Sequence, residues 1–252
     1  MREDLEVFSF IFGAVIGSFL NVLISRLPKN ESIVSPRSFC PSCKNTIAWY
    51  YNIPLFSYIF LRAKCAYCKT KIPFRYFIVE FLSALFTLLL FLELGVNLEF
   101  VLFSIFIYIL ITLSFIDFEY KAVPDYLLLF AFVLSLFVTT YPIIEALKNA
   151  FMFCGAFVLL NFILTFYIQN IKSRLTKDES LRTQEALGEG DIPIIAAIAI
   201  ILGIKGALIA VFLAAIFAII PSIYSSFGQY EKSSYHFIKK SSNRFTSNSN
   251  GF

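Results

Sequence analysis

The 252-residue sequence predicts an all-α, polytopic helical membrane protein with about seven spans, within a range of six to eight. Hydrophobic residues make up 58% of the chain and charged residues 15%, whereas a soluble domain is about half apolar and about a quarter charged. The apolar residues occur in continuous runs and not in the alternation of an outer-membrane barrel. The composition therefore excludes a soluble enzyme, a disordered protein and a secreted disulfide scaffold.

The candidate spans follow from the length of the apolar runs, because a helix needs about 20 mostly apolar residues to cross the hydrocarbon core. The first run opens with acidic residues and lacks a basic leader, which predicts a retained helix and not a cleaved signal peptide. The fourth and sixth runs are short. The seven predicted spans are Leu5–Ser25, Tyr76–Leu94, Leu98–Ile116, Tyr126–Tyr141, Ala146–Ile168, Ile192–Leu202 and Ala207–Ser225.

Basic residues predict the orientation, since Lys and Arg concentrate in cytoplasmic loops. If the long segment after the first span is cytoplasmic, only Arg2, Lys148 and Lys205 of the 21 Lys and Arg residues fall on the other side. The N-terminus is therefore predicted outside. The net charge of +4 follows from this bias and from attraction to membrane lipid, and it predicts no nucleic-acid partner.

This topology divides the chain into four regions. A first transmembrane span is followed by a cytoplasmic loop, a transmembrane core with the remaining spans, and a basic cytoplasmic tail that is predicted to be disordered. These regions are residues 1–27, 28–75, 76–228 and 229–252.

Four of the five cysteines lie in the first cytoplasmic loop, as the pairs Cys40/Cys43 and Cys65/Cys68. Two residues between thiols let one turn present both sulfurs to one metal ion, and two such turns complete a tetrahedral site. The reducing cytosol disfavours disulfides there. The spacing therefore predicts a zinc-knuckle loop with a structural Zn²⁺, with a redox pair or coincidence as the alternatives.

Three carboxylates at membrane depth are candidates for function, because ionisable groups inside spans are costly. Asp117 ends the third span, Asp191 opens the sixth, and Glu80 lies about one turn into the second, all near the predicted cytoplasmic face. Two facing aspartates can share a proton, so that one accepts a proton from water and the other polarises a peptide carbonyl. The alternative is that both cap helix ends. The only histidine, His236, lies in the tail, which disfavours His-based catalysis.

Neighbouring residues receive supporting roles. Gly188 and Gly190 are predicted to let the backbone approach a neighbour closely just before the sixth span. Asp125 is predicted to cap the fourth span, with a secondary role near the aspartate pair. Glu80 is predicted to be a structural partner of Arg75 or of another basic residue at the same interface.

With these motifs in place, the sequence resembles the type IV prepilin peptidases, the leader peptidases of pilin-like proteins in the GxGD class of intramembrane aspartyl proteases. The match runs across nearly the whole chain, and the order and spacing of its motifs make it specific. The matching stretches are Gly17–Pro28, Ser35–Cys43, Trp49–Ser57, Leu61–Cys68, Arg75–Glu80, Asp117–Asp125 and Gly188–Asp191.

The resemblance implies that Asp117 and Asp191 are the catalytic aspartates of an endopeptidase in the bacterial cytoplasmic (inner) membrane. It implies prepilin or pseudopilin substrates with a short basic leader and an apolar N-terminal helix, cut after a Gly at the cytoplasmic face. It also implies N-methylation of the new N-terminus with S-adenosylmethionine, in the region of the cysteine loop. The sequence departs from the family at Pro193, where a Lys is usual, and it shows no glycine-rich cofactor fingerprint in the loop.

Two other readings of the sequence are a proton- or cation-coupled transporter with a zinc-stabilised cytoplasmic cap and a zinc-knuckle adaptor. The chain lacks the inverted repeat and paired broken helices of many transporters, and an adaptor leaves the intramembrane aspartates unexplained. For the peptidase, Glu119, Asp125 and Glu189 are expected to attract the basic leader, or else to be solvated loop charges.

Overall fold

The computed structural model describes residues 2–121, 123–176, 179–183, 186, 188 and 190–217. In these residues the regular structure is helical, as predicted, and the β-pairing consists of two isolated bridges in the cysteine loop. The α-helices are α1 (Arg2–Arg26), α2 (Phe56–Phe60), α3 (Arg75–Leu94), α4 (Leu98–Tyr120), α5 (Asp125–Val138), α6 (Ile143–Phe166), α7 (Ser173–Thr176) and α8 (Asp191–Phe217).

Five helical segments of the described chain are long and apolar enough to cross a membrane. They contain α1, α3, α4, α6 and α8, whereas α5 is apolar but has only 14 residues. The predicted count of seven spans is therefore not confirmed. The five segments are Glu3–Lys29, Arg75–Leu94, Leu98–Tyr120, Ile143–Leu175 and Asp191–Phe217.

The predicted sixth and seventh spans fall within one helix, α8, as far as residue 217, and the rest of the seventh lies outside the described residues. Gly203 lies between the two predicted spans and has a φ of 66°, which interrupts regular α-helical geometry. Glycine adopts this conformation without a steric penalty because it has no Cβ. Two compact units meet in the sequence at this point, Met1–Gly203 and Ile204–Phe252. The predicted disordered tail, 229–252, lies outside the described residues.

The helix boundaries around the candidate aspartates differ from the predictions in two places. Helix α4 continues past Ile116 and places Asp117 inside its last turn, where the Asp117 carbonyl accepts a hydrogen bond from Lys121 N–H at 3.0 Å. Helix α5 begins at Asp125, with Pro124 as its N-cap and no side-chain capping hydrogen bond. Asp125 is thus in the first turn, where the helix dipole favours a negative charge, and the prediction that it caps the helix is wrong.

Close packing of α1 on α3 depends on two glycines that the sequence analysis did not single out. A Cβ on Gly13 would lie 2.5 Å from Thr87 Oγ1, and a Cβ on Gly17 would lie 2.7 Å from the Cα of Glu80. The Gly-x-x-x-Gly spacing puts both glycines on one face of α1, the arrangement that lets transmembrane helices approach closely. This spacing is the signal that could have predicted the contact.

Helix α4 is the centre of the bundle formed by residues 1–203. One side of α4 packs in a cluster with α1 and α3, and another side packs in a cluster with α5 and the first part of α8. The end of α4 is therefore brought beside the beginning of α8. The buried members of the two clusters are Leu20, Ile24, Val79, Ile111 and Ile116 in the first, and Phe106, Ile109, Leu113, Leu128, Ala131, Leu134, Val138 and Ala197 in the second.

Candidate active site and metal centre

The structure brings Asp117 and Asp191 together although they are far apart in the sequence. Asp117 lies in the last turn of α4 and Asp191 is the first residue of α8. The two carboxylates are close enough to interact electrostatically. Both side chains are exposed and not buried in the protein core. Among the described residues, the arrangement is a pair of exposed carboxylates at two helix ends.

The glycines before Asp191 have a smaller steric role than predicted. The backbone N–H of Asp191 donates to the carbonyl of Gly188 at 3.2 Å, which forms a turn into α8. A Cβ on Gly188 would meet Asp191 Oδ2 at 3.7 Å, and one on Gly190 would meet Leu128 Cδ1 at 3.6 Å. Both distances are ordinary van der Waals contacts. The close approach that was predicted here occurs instead at Gly13 and Gly17.

Pro193, the departure from the resembling family, lies in the first turn of α8. Proline is tolerated there because the first N–H groups of a helix have no partner inside the helix. The residue is therefore compatible with the helix that presents Asp191. It supplies no cation beside the carboxylate pair, in contrast to the usual Lys.

An ion pair holds the end of α4 that carries Asp117. Arg75 Nη1, at the start of α3, donates to Glu119 Oε2, while Arg75 Nη2 donates to Ser25 Oγ at 3.1 Å. Arg75 thus joins the ends of α1, α3 and α4. The sequence analysis expected Glu119 to attract a basic leader or to be a solvated loop charge. In the structure its carboxylate is instead paired with Arg75. Glu189, to which the same role was assigned, lies outside the described residues.

Glu80 is not the partner of Arg75, contrary to the prediction. Its Oε2 accepts a hydrogen bond of 2.7 Å from the backbone N–H of Leu55 in the cysteine loop. Its carboxylate also accepts a hydrogen bond from the Ser18 hydroxyl. The side chain is buried between α1 and α3, next to Gly17. Glu80 therefore attaches the cysteine loop to the helical bundle.

The four predicted metal ligands form one cluster. The Sγ atoms of Cys40, Cys43, Cys65 and Cys68 all lie within 4.8 Å of one another, and those of Cys40 and Cys68 are 3.8 Å apart. Tetrahedral zinc with Zn–S bonds of about 2.3 Å requires sulfurs separated by about 3.8 Å. The cluster therefore fits a four-thiolate metal site. Cys154 lies apart, in α6, with its Sγ 3.7 Å from the carbonyl oxygen of Ile192.

Without a metal, the four thiols have unequal acidities. Hydrogen bonds between the Cys68 thiol and the side chain and backbone of Thr70 lower the pKa of Cys68 to about 6. The Asn45 backbone N–H acts to lower the pKa of Cys43, but desolvation and the thiols of Cys68 and Cys40 together raise it to about 11. A bound Zn²⁺ would override these differences, because a coordinating thiol is deprotonated outright.

A groove on the cysteine loop does not fit S-adenosylmethionine. It lies between α2 and the start of α3, has a volume of about 210 Å³, and is lined by Tyr58, Ile59, Arg62, Ala63, Phe74 and Phe77. Small-molecule sites usually enclose about 300–1,000 Å³. The charged residue of the lining, Arg62, offers a partner for the carboxylate of the cofactor, but the lining has no acidic residue for its sulfonium and ammonium groups. This groove therefore gives no support to methyl transfer.

Comparison with known proteins identifies the family of this chain. A family model described as "Bacterial Peptidase A24 N-terminal domain" matches residues 11–94, and a second model, described as "Type IV leader peptidase family", matches residues 104–223. The prepilin leader peptidase/N-methyltransferase of Vibrio cholerae is 34% identical over 206 residues, which cover 77% of this chain and 76% of that protein. The chain belongs to the type IV leader peptidase family. The family match favours the peptidase over the transporter.

Two further relatives bear the same name. The prepilin leader peptidase/N-methyltransferase of Legionella pneumophila is 31% identical over 218 residues, covering 77% of this chain and 72% of that protein. That of Myxococcus xanthus is 43% identical over 118 residues, covering 47% of this chain but only 35% of that protein. No solved structure matches this chain. The family is thus established by sequence, and the geometry of the site comes from this structure.

Proposed function

We propose that this member of the leader peptidase family is an intramembrane aspartic endopeptidase in which Asp117 and Asp191 are the catalytic pair. The observation that carries the proposal is the meeting of these two carboxylates at the end of α4 and the start of α8. Helix capping alone does not explain why two carboxylates on separate helices are close enough to interact electrostatically.

The chemistry of the pair requires neither a histidine nor a metal. Two neighbouring carboxylates share one proton, because both cannot ionise without repulsion. The ionised member takes a proton from water, whose oxygen attacks the peptide carbonyl carbon, while the protonated member donates to the carbonyl oxygen. Collapse of the tetrahedral intermediate then breaks the C–N bond, and the leaving amine receives a proton from the pair.

The position of the pair agrees with cleavage at a membrane boundary. A substrate helix hydrogen-bonds its own carbonyls, so that a peptide bond becomes accessible only where the chain is unwound. Asp117 and Asp191 both lie at helix ends, which supports a membrane boundary as the depth of cleavage, and the bias of Lys and Arg makes the cytoplasmic face the proposed side. The proposed substrates are prepilins or pseudopilins with a short basic leader, cut after a Gly.

The proposed topology has seven spans, with the N-terminus outside and the cysteine loop and tail in the cytoplasm. In this proposal the apolar helix α5 is the fourth span, and the parts of α8 before and after Gly203 belong to the sixth and seventh. Reporters fused after Tyr120 or Ser180 should be active in the cytoplasm, and those fused at Gly95 or Ile204 should be active outside. The reverse pattern would contradict both the charge bias and the shared depth of the aspartates.

The proposed metal of the Cys40/Cys43/Cys65/Cys68 cluster is structural Zn²⁺, because four thiolates leave no open coordination position for chemistry. Methylation of the new N-terminus with S-adenosylmethionine is proposed from family membership. We further propose residues 28–75 as the metal-binding region and 76–228 as the peptidase core.

One experiment tests the two activities together. The purified protein is incubated with a candidate prepilin and S-adenosylmethionine, and the masses of both products are measured. A free leader ending in Gly supports the peptidase, and a gain of one methyl group on the mature chain supports the transferase. An intact substrate in the presence of folded, membrane-inserted enzyme would contradict the peptidase assignment for that substrate class.

A further inference from the structure

The cysteine loop has an apolar surface that neither the carboxylate pair nor the metal cluster uses. We propose that α2 lies within the interface of the same membrane, with Phe56, Ile59 and Phe60 at the boundary between headgroups and acyl chains. The inference rests on the proposed topology, in which α3 crosses the membrane.

The depth of α2 follows from its attachment to α3. Leu55, which immediately precedes α2, donates its N–H to Glu80 Oε2 at 2.7 Å. Glu80 belongs to the first part of α3, and helical side chains lean towards the N-terminus. The carboxylate therefore sits about one turn, or about 5 Å, inside the cytoplasmic end of α3. If the charged Arg75, the first residue of α3, is placed at the headgroup level, α2 lies near the inner edge of the polar layer, which is about 6 Å thick on each side of the hydrocarbon core.

The orientation of α2 follows from the one aromatic residue that packs on the bundle. The ring of Tyr58 lies 5.4 Å from that of Phe77 in α3, and its hydroxyl donates to the carbonyl of Ile72 at 3.4 Å. Phe56, Ile59 and Phe60 have the spacing of a single helix face. They are 77%, 66% and 81% exposed. Three large apolar side chains thus point away from the described part of the protein at the depth of the interface.

Charge identifies a lipid bilayer as the occupant of this face. Arg62 and Lys64 follow α2 directly, and both are exposed. An apolar face flanked by basic residues is the pattern of segments that lie in a membrane surface and are attracted to anionic headgroups. The basic leader of the proposed substrates would be repelled by these cations, and a protein cover is one of the outcomes that the test below distinguishes. The bilayer satisfies both features.

The consequence is that the metal-binding loop is held on the membrane surface beside the cytoplasmic ends of α3 and α4. Glu80 attaches the loop to the bundle from one side, and the membrane holds α2 from the other. The arrangement restricts where a leader peptide can approach the carboxylate pair.

Tryptophan fluorescence can test this placement because the chain has a single tryptophan, Trp49. In a Trp49→Phe background, a new tryptophan is introduced as Phe60→Trp or, separately, as Ile59→Trp. Phe86→Trp, in the middle of α3, is the matched control for a membrane-embedded site. Each protein is placed in vesicles of phosphatidylcholine and phosphatidylglycerol, and quenching is measured with lipids brominated at shallow or deep acyl positions and with aqueous iodide.

We expect Phe60→Trp and Ile59→Trp to be quenched more by shallow than by deep bromine, and to be quenched by iodide several-fold less than N-acetyltryptophanamide. Phe86→Trp should be quenched most by deep bromine. Iodide quenching near that of N-acetyltryptophanamide would overturn the inference, because the tryptophan would then be exposed to water. Shielding from both iodide and bromine would also overturn it, because the tryptophan would then be covered by protein. If Phe86→Trp also escapes bromine, the span assignment of α3 has failed, and the inference fails with it.

Discussion

The two chemical centres of this chain are assembled in opposite ways. The cysteine cluster is built from two short turns of one loop, in which Cys40 N–H donates to the Asn45 carbonyl at 3.0 Å and Cys65 N–H donates to the Thr70 carbonyl at 2.8 Å. The carboxylate pair depends on the packing of α4 against α8. A local turn is determined by residues a few positions apart, whereas the pair exists only when the whole bundle has folded.

The largest expected effect is at the carboxylate pair. Asp117→Asn or Asp191→Asn should each lower the rate of prepilin cleavage by at least about 10³-fold, because Asn cannot accept or cycle a proton. The double variant should be little worse than either single variant, since the two groups act as a unit. The measurement is the turnover rate in proteoliposomes, with insertion checked by protease accessibility.

Two controls accompany this prediction: the proposed methylation activity and the substitution of the nearby Asp125. Methylation of a pre-cleaved substrate should survive either Asp→Asn change, and Asp125→Asn should retain most of the cleavage activity. Substantial cleavage by a correctly inserted Asp117→Asn or Asp191→Asn protein would show that the proposed mechanism is wrong. The pH–rate profile of the unmodified enzyme should show two apparent pKa values that belong to the pair as a whole.

The next largest effect is expected at the cysteine cluster. Cys40→Ser should abolish stoichiometric zinc binding and unfold the loop before it disturbs the membrane helices, because metal binding supplies the folding free energy of such loops. Metal analysis should find about one Zn²⁺ per unmodified chain. Freely alkylated thiols in native membranes, together with no bound metal, would contradict the zinc assignment.

The contrast between the centres explains how much the sequence could predict. The Cys-x-x-Cys spacing led directly to the four ligands, and the family resemblance led to the aspartates. The partners of Glu80 and Arg75 were not predictable, because each depends on which helix ends meet. Glu80 bonds to a loop N–H, and Arg75 bonds to Glu119, a residue on another helix. The sixth and seventh predicted spans fall in the single helix α8 although Gly203 between them has a φ of 66°, a local conformation that hydropathy does not report.

A smaller effect is expected at the contact between α1 and α3. Gly17→Ala should lower the midpoint of thermal unfolding in detergent, because its Cβ would lie 2.7 Å from the Cα of Glu80 and backbone would have to move. Overpacking of this kind costs about 1–3 kcal/mol. Gly155→Ala in α6 is the matched control, since a Cβ there would meet nothing within 4 Å. It should be neutral or slightly stabilising, because Ala favours a helix over Gly by about 1 kcal/mol. Equal destabilisation by both variants would mean that α1 and α3 are not packed closely at Gly17.

The smallest effect should come from the ion pair that joins the carboxylate pair to the rest of the bundle. Glu119→Gln removes the charge that Arg75 binds, and a partly exposed ion pair contributes about 0.2–1 kcal/mol. We expect a decrease in kcat of less than about tenfold, with KM nearly unchanged, because the end of α4 loses one tether while Asp117 stays in place. Glu99→Gln, in the first turn at the opposite end of α4, is the matched control and should leave kcat unchanged. An increase in KM alone for Glu119→Gln would indicate instead that Glu119 binds the basic leader directly. An equal decrease in kcat for both variants would mean that the ion pair does not position Asp117.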